Sequence, residues 1–82
     1  MPFFVYILCS KPTGRFYVGQ STDPWRRLAE HNAGKSLSTR AYVPWEIAFL
    51  EEYSTRAEAV RRERQIKAWR SRSAILQLIG HG

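Results

Sequence analysis

Apolar residues run almost unbroken from Phe3 to Cys9 (FFVYILC), rich in aromatic and β-branched side chains. That pattern fits a strand covered on both faces, and therefore central in a sheet. Ser10 to Gly14 (SKPTG) is turn chemistry, and Arg15 to Gly19 (RFYVG) reads as a second strand, so the two predict an antiparallel hairpin. The register has two solutions. A four-residue loop, Lys11 to Gly14, sets Leu8 opposite Tyr17 and brings Tyr6 and Tyr17 to one face of the sheet. A three-residue loop with a bulge at Gly14 puts the tyrosines on opposite faces.

The pattern then changes period. Gly19 frees the backbone for a sharp exit, and Asp23-Pro24 opens a helix: Asp accepts at the N-cap, and Pro loses nothing at the first helical position. The helix runs to about Ala33, with Gly34 as its stop. Trp25, Leu28, Ala29 and Asn32 make one stripe, while Arg27 and His31 stand four residues apart on an adjoining face. Lys35 to Pro44 reads as a polar loop. Trp45 to Tyr53 (WEIAFLEEY) reads as a third strand with Ile47, Phe49 and Glu51 on one face and Glu46 facing out. Thr55-Arg56-Ala57-Glu58 has capping-box spacing and opens a helix to about Trp69. Ser71 caps a final helix through Ile79, whose Ala74, Ile75, Leu78 and Ile79 close the core.

These elements predict one domain over residues 1–82, of α+β type, with a three-stranded antiparallel sheet flanked by helices in the order β-β-α-β-α-α. The apolar opening run is too short to span a membrane and has neither a basic lead nor a small-residue cleavage site, so no membrane association is expected. A lone cysteine, Cys9, has no partner for a disulfide or a zinc site, which fits a reducing cytoplasm and a packing role.

Composition adds a partner. The net charge of +6 on 82 residues predicts attraction to phosphates, and seven of the thirteen basic residues fall between Arg56 and Arg72. A solvated helix face accounts for such a run unless a second signal accompanies it. That signal is Glu63, which falls on the inner stripe of its helix, three residues from each of Val60 and Ile66. A carboxylate facing apolar surface must be paired or bound to a cation. A salt bridge to Arg27 or Arg62 is one solution. The other is Mg²⁺, which keeps much of its hydration shell and needs few protein ligands. Singly, the tyrosines are strand aromatics, Arg27 a surface charge and His31 a packing or capping histidine. Together with Glu63 they are the groups that metal-assisted phosphodiester hydrolysis requires: a base for water, a cation on the phosphate and a metal at the leaving oxygen.

Val5-Tyr6-Ile7, then Tyr17-Val18-Gly19, Arg27, His31-Asn32 and Glu63 within Arg62-Glu63-Arg64-Gln65-Ile66-Lys67 resemble the GIY-YIG nuclease domain in order, spacing and length. The likeness is nearest to the small stand-alone bacterial members related to the excision-repair incision nuclease. It implies an endonuclease dependent on Mg²⁺ or Mn²⁺ that leaves a 3′-hydroxyl and a 5′-phosphate. It also implies the four-residue loop, Glu63 as metal ligand and Arg27 as phosphate clamp. One of Tyr6 and Tyr17 would activate or position water, with His31 as helper, because an ordinary tyrosine pKa of about 10 makes a poor base at neutral pH. Two positions differ from the family name, Val5 for Gly and Val18 for Ile, and no asparagine follows Glu63. The expected partner is nucleic acid, DNA ahead of RNA, contacted by Lys35, Arg40, Arg61, Arg64, Lys67 and Arg70. The expected protein is a monomer acting in DNA repair or recombination on branched, nicked or single-stranded ends. Two rivals remain: a non-cleaving nucleic-acid-binding module of the same fold, and an accessory protein using exposed aromatics such as Trp45 or Trp69.

Overall fold

The middle strand of the sheet is β1 (Phe3–Ser10), and its Val5, Tyr6, Ile7 and Leu8 are all at most 1% exposed, as a run apolar on both faces requires. A computed structural model describes residues 1–81. It places β2 (Phe16–Ser21) and β3 (Trp45–Tyr53) on either side of β1, both antiparallel to it, in the order β2-β1-β3. Three helices follow the predicted order: α1 (Pro24–Asn32), α2 (Arg56–Trp69) and α3 (Arg72–His81). A single 3-10 turn, Arg40–Tyr42, lies in the loop before β3. No helix among the described residues is long and apolar enough to cross a membrane.

Each face of the sheet carries its own cluster. On one, Val5, Ile7, Val18 and Phe49 meet Ala59 and Ile66 of α2, with Ile75, Leu78 and Ile79 of α3 packed against them. On the other, Tyr6, Leu8 and Trp45 gather Tyr17, Leu28, Tyr42, Ile47 and Leu50. Ile47 and Phe49 therefore lie on opposite faces, contrary to the expected alternation. The reason is a bulge: Ile7 pairs with Phe49 but Leu8 pairs with Ile47, so Ala48 is an extra residue and the side-chain phase flips there.

Local chemistry sets the helix ends. Asp23 Oδ1 accepts the Arg26 N–H at 3.1 Å with Pro24 in the first helical position, and Gly34 takes φ +78° after the Ala33 cap. Thr55 Oγ1 accepts from Glu58 N–H at 3.2 Å and donates to Glu58 Oε1 at 2.9 Å. Ser71 Oγ accepts the Ala74 N–H at 3.2 Å and starts α3, which continues past Ile79.

Two further expectations fail. The inner side of α1 is Pro24, Leu28 and His31, not the stripe of Trp25, Leu28, Ala29 and Asn32. Trp25 is 58% exposed, its ring centroid 6.0 Å from that of Phe4 with the planes at 76°, and Ala29 faces out. Gly19, for its part, does not end its strand. β2 continues to Ser21, and Gly19 does not have a positive φ. Its glycine is needed for space, because Tyr6 lies across it.

Candidate active site

The hairpin adopts the four-residue loop. Ser10 N–H donates to Arg15 O at 2.8 Å, Leu8 pairs with Tyr17 and Tyr6 pairs with Gly19. With this register Tyr6 and Tyr17 share a face, their ring centroids 6.4 Å apart and their planes 29° from parallel. Tyr6 is fully buried, whereas Tyr17 is half-buried at the mouth. Burial pushes the Tyr6 phenol up from its ordinary pKa. Hydrogen bonding from Arg27 pulls the other way, while the charges of Tyr17 and Glu63 add to the rise. Tyr6 thus keeps its proton across the neutral range.

α1 delivers Arg27 and His31 to this face. Arg27 is exposed, and its Nη1 donates to Glu30 Oε1 at 2.7 Å, while its positive charge and the negative charge of an ionised Tyr6 would stabilise each other. His31 is 1% exposed. Its Nδ1 is 2.8 Å from Thr39 Oγ1, and its ring centroid lies 4.7 Å from that of Tyr17. Nε2 is buried with no hydrogen-bond partner. Burial, and then the neighbouring Arg27 charge, hold the imidazole below its usual pKa against the opposing pull of Glu30, so it is neutral at pH 7.

Glu63 comes from α2. Its side chain is 18% exposed, and Lys67 Nζ donates to Oε2 at 2.6 Å. Neither expected partner is used. Arg27 bonds Glu30, and Arg62 bonds Glu51 Oε1 at 3.0 Å and Gln65 Oε1 at 2.7 Å. The i to i+4 lysine wins because it sits on the same helix face and arrives without tertiary constraint. Among the described residues no group of three or more His, Cys, Asp or Glu side chains could hold a metal. A lone half-buried carboxylate, with solvent and phosphate oxygens for the remaining positions, fits the hard, well-hydrated Mg²⁺ and does not fit zinc.

The expected phosphate-binding residues are spread more widely. Lys35 lines a depression with Arg27, Glu30, His31 and Ser36. Arg40 is exposed in the 3-10 turn. Arg61 and Arg64 flank a groove with Arg56 on the outer side of α2, and Lys67 is engaged by Glu63. Arg70, at φ +47°, closes α2 and borders a pocket beside Tyr17. Trp45 is not an exposed aromatic: it is 4% exposed and donates Nε1–H to Thr39 O at 2.9 Å, while Trp69 is half-buried under Arg62.

Two residues gain roles the sequence did not announce. Asn32 Oδ1 accepts Trp45 N–H at 2.6 Å and its Nδ2 donates to Trp45 O at 3.0 Å, pinning the end of α1 to the start of β3. Thr39 fixes His31 from the loop. The His31-Asn32 pair at a helix end was a signal for the first; a threonine among loop residues gives none for the second.

Residues 2–75 match the model of the GIY-YIG catalytic domain. A UPF0213 protein from Halobacterium salinarum is 43% identical over 65 residues, which cover 77% of this chain and 82% of that protein. Another, from Streptococcus agalactiae, is 38% identical over 81 residues, 96% of this chain and 89% of the relative. The solution NMR structure of a UPF0213 protein from Bacillus halodurans aligns with a TM-score of 0.61 at 34% identity, covering 98% of this chain and 84% of that one.

Proposed function

Because this chain belongs to the GIY-YIG family of nuclease domains, we propose that it is an endonuclease that hydrolyses DNA phosphodiester bonds with Mg²⁺ or Mn²⁺. What supports this reading is the setting of Tyr6: a buried phenol whose ring centroid lies 6.4 Å from that of Tyr17, with the charges of Arg27 on α1 and Glu63 on α2 both acting on it. A packing tyrosine has no use for a guanidinium, a second phenol and a carboxylate. In the proposed reaction Arg27 holds the scissile phosphate as charge builds on it. Tyr6 donates its proton in a hydrogen bond to phosphate or water. Tyr17, nearer to solvent, passes its phenolic proton on toward solvent as its oxygen takes that of the attacking water, and neutral His31 lies against its ring to assist this relay. Glu63 would hold the divalent cation, which when bound supplies positive charge at the leaving oxygen. Lys35, Arg40, Arg61, Arg64 and Arg70 bind flanking phosphates, whereas Lys67, expected among them, is held by Glu63 and adds little. The protein would work as a cytoplasmic monomer in repair or recombination, on branched, nicked or single-stranded ends.

A second reading, a nucleic-acid-binding module that does not cut, is favoured by one contact: Lys67 already neutralises Glu63 at 2.6 Å. Cleavage of labelled single-stranded, duplex, flap, four-way-junction and RNA hairpin substrates separates the two. The assay uses Mg²⁺, Mn²⁺ or chelator, with wild type beside Glu63→Ala. Metal-dependent cuts lost in the variant support the nuclease. Tight, salt-sensitive binding without cutting in either protein supports the module.

A further inference from the structure

A second concavity opens on the Tyr17 side of the candidate active site, with a volume of about 490 Å³. That lies within the range of roughly 300–1,000 Å³ usual for ligand sites. Its wall combines Tyr17, Phe16 and Tyr42 with Arg15, Arg70 and Arg72, and no acidic residue lines it. None of these three arginines pairs with a carboxylate among the described residues; the ion pairs lie elsewhere. Two of them are nonetheless ordered. The Arg15 guanidinium lies 4.4 Å from the Tyr42 ring centroid, and that of Arg72 lies 4.8 Å from the Phe16 centroid. Arg72 Nη1 also donates to Gly14 O at 2.6 Å.

Three like charges around one pocket, with no carboxylate to offset them, make its potential positive and attract an anion. The aromatic lining narrows the anion's identity. A nucleotide pairs phosphate charge with a planar base, and bases stack on aromatic rings and on guanidinium planes alike. A continuous duplex keeps its bases stacked on each other and offers none to a pocket.

We propose that this pocket is a nucleotide subsite. It receives one unpaired base of the strand whose neighbouring phosphate lies at Tyr17 and Arg27, and Arg15, Arg70 and Arg72 contact the phosphates on either side of that base. The placement of the strand rests on the nuclease reading, while binding in the pocket does not need cleavage. A chain so built prefers loops, flaps and strand ends to uninterrupted duplex.

The test uses the full chain in chelator, so that no cutting occurs. A short DNA strand carrying iododeoxyuridine at successive positions is irradiated with the protein, and the crosslinked residue is read by mass spectrometry. Crosslinks at Phe16, Tyr17 or Tyr42 support the subsite; crosslinks confined to the Arg56, Arg61 and Arg64 groove overturn it. Affinity measured by anisotropy gives a second readout. Tyr42→Leu, which keeps every charge, should weaken single-stranded DNA by about tenfold, the scale of one lost base stack, and leave duplex affinity unchanged. Equal losses for both forms in a folded variant overturn the proposal, as does displacement of the strand by a free mononucleotide at comparable concentration. Failure of the nuclease reading is distinct: the crosslinks persist, and no substrate is cut when metal is restored.

Discussion

Tyr6 lies so close over Gly19 that a Cβ there would sit 2.6 Å from the phenolic oxygen and 2.7 Å from the ring carbon bearing it. The two residues are paired across β1 and β2, and the ring is buried, so it has no solvent to swing into. Gly19→Ala is therefore an overpacking change, expected to cost about 1–3 kcal/mol. In a chain this small that is a fall in Tm of about 5 °C or more. Because the shift falls on the phenol that faces Arg27, metal-dependent cleavage should drop further than the folded fraction does. Thermal melts and cleavage rates on the same preparations check this; an unchanged Tm with full cleavage would mean that Tyr6 is not fixed by Gly19.

The buried imidazole of His31 makes stability depend on pH. Its pKa is lowered from 6.5 in the folded chain, first by burial and then by Arg27. The unfolded chain therefore takes up a proton at higher pH than the folded one. His31 contributes its full stability above about pH 6.5 and loses it as the pH falls from there toward the folded pKa. Denaturant midpoints of wild type and His31→Asn, measured from pH 8 down to pH 5, should converge as the pH falls. Parallel curves would show that His31 titrates alike in both states.

Much of this architecture is readable in the chain because its punctuation is local. Asp23-Pro24, Thr55 to Glu58, Ser71 and Gly34 each act within a turn of their own position, so the helix limits follow from neighbours in sequence. Central β1 is legible for the same reason, from its unbroken apolar run. The bulge at Ala48 is not, since Ile47 and Phe49 alternate with a small residue whether or not one position is extra. The inner face of α1 also misleads: Trp25 has the largest apolar surface on the helix, yet His31 takes the buried place because Thr39, eight residues on, can satisfy its Nδ1. That Tyr6 and Tyr17 share a face follows from the chain only with the family resemblance, which chooses between the two hairpin registers. Glu63 pairs with Lys67 rather than Arg27 or Arg62 because i and i+4 share a helix face, whereas the adjacent Arg62 points off it toward Glu51.

Asn32 carries the connection between α1 and β3 with one side chain, giving and accepting a bond at the backbone of Trp45. Removing it leaves an N–H and a carbonyl at the start of the strand without partners, a cost of about 1–3 kcal/mol for each group kept from water. Asn32→Ala should lower the denaturant midpoint, and Trp45 N–H should lose protection in hydrogen exchange. Asn32→Asp, which can still accept but cannot donate, should fall between the two. Unchanged protection at Trp45 would assign the docking of the strand to its side chain alone.

Lys67 and Arg64 are neighbours on α2 with different employment. Arg64 is exposed and free of any carboxylate among the described residues, whereas Lys67 Nζ is bound to Glu63 Oε2 at 2.6 Å. Arg64→Ala should weaken DNA affinity evenly across sequences and reduce the salt slope by about one phosphate contact. Lys67→Ala should change that slope less, because its charge is already compensated. It should instead free the Glu63 carboxylate, so that less Mg²⁺ gives half-maximal cleavage. Salt titrations of binding and Mg²⁺ titrations of cutting, run on both variants, read these effects separately. A rise in the Mg²⁺ requirement of Lys67→Ala would place Lys67 on the substrate phosphate rather than in competition with the metal.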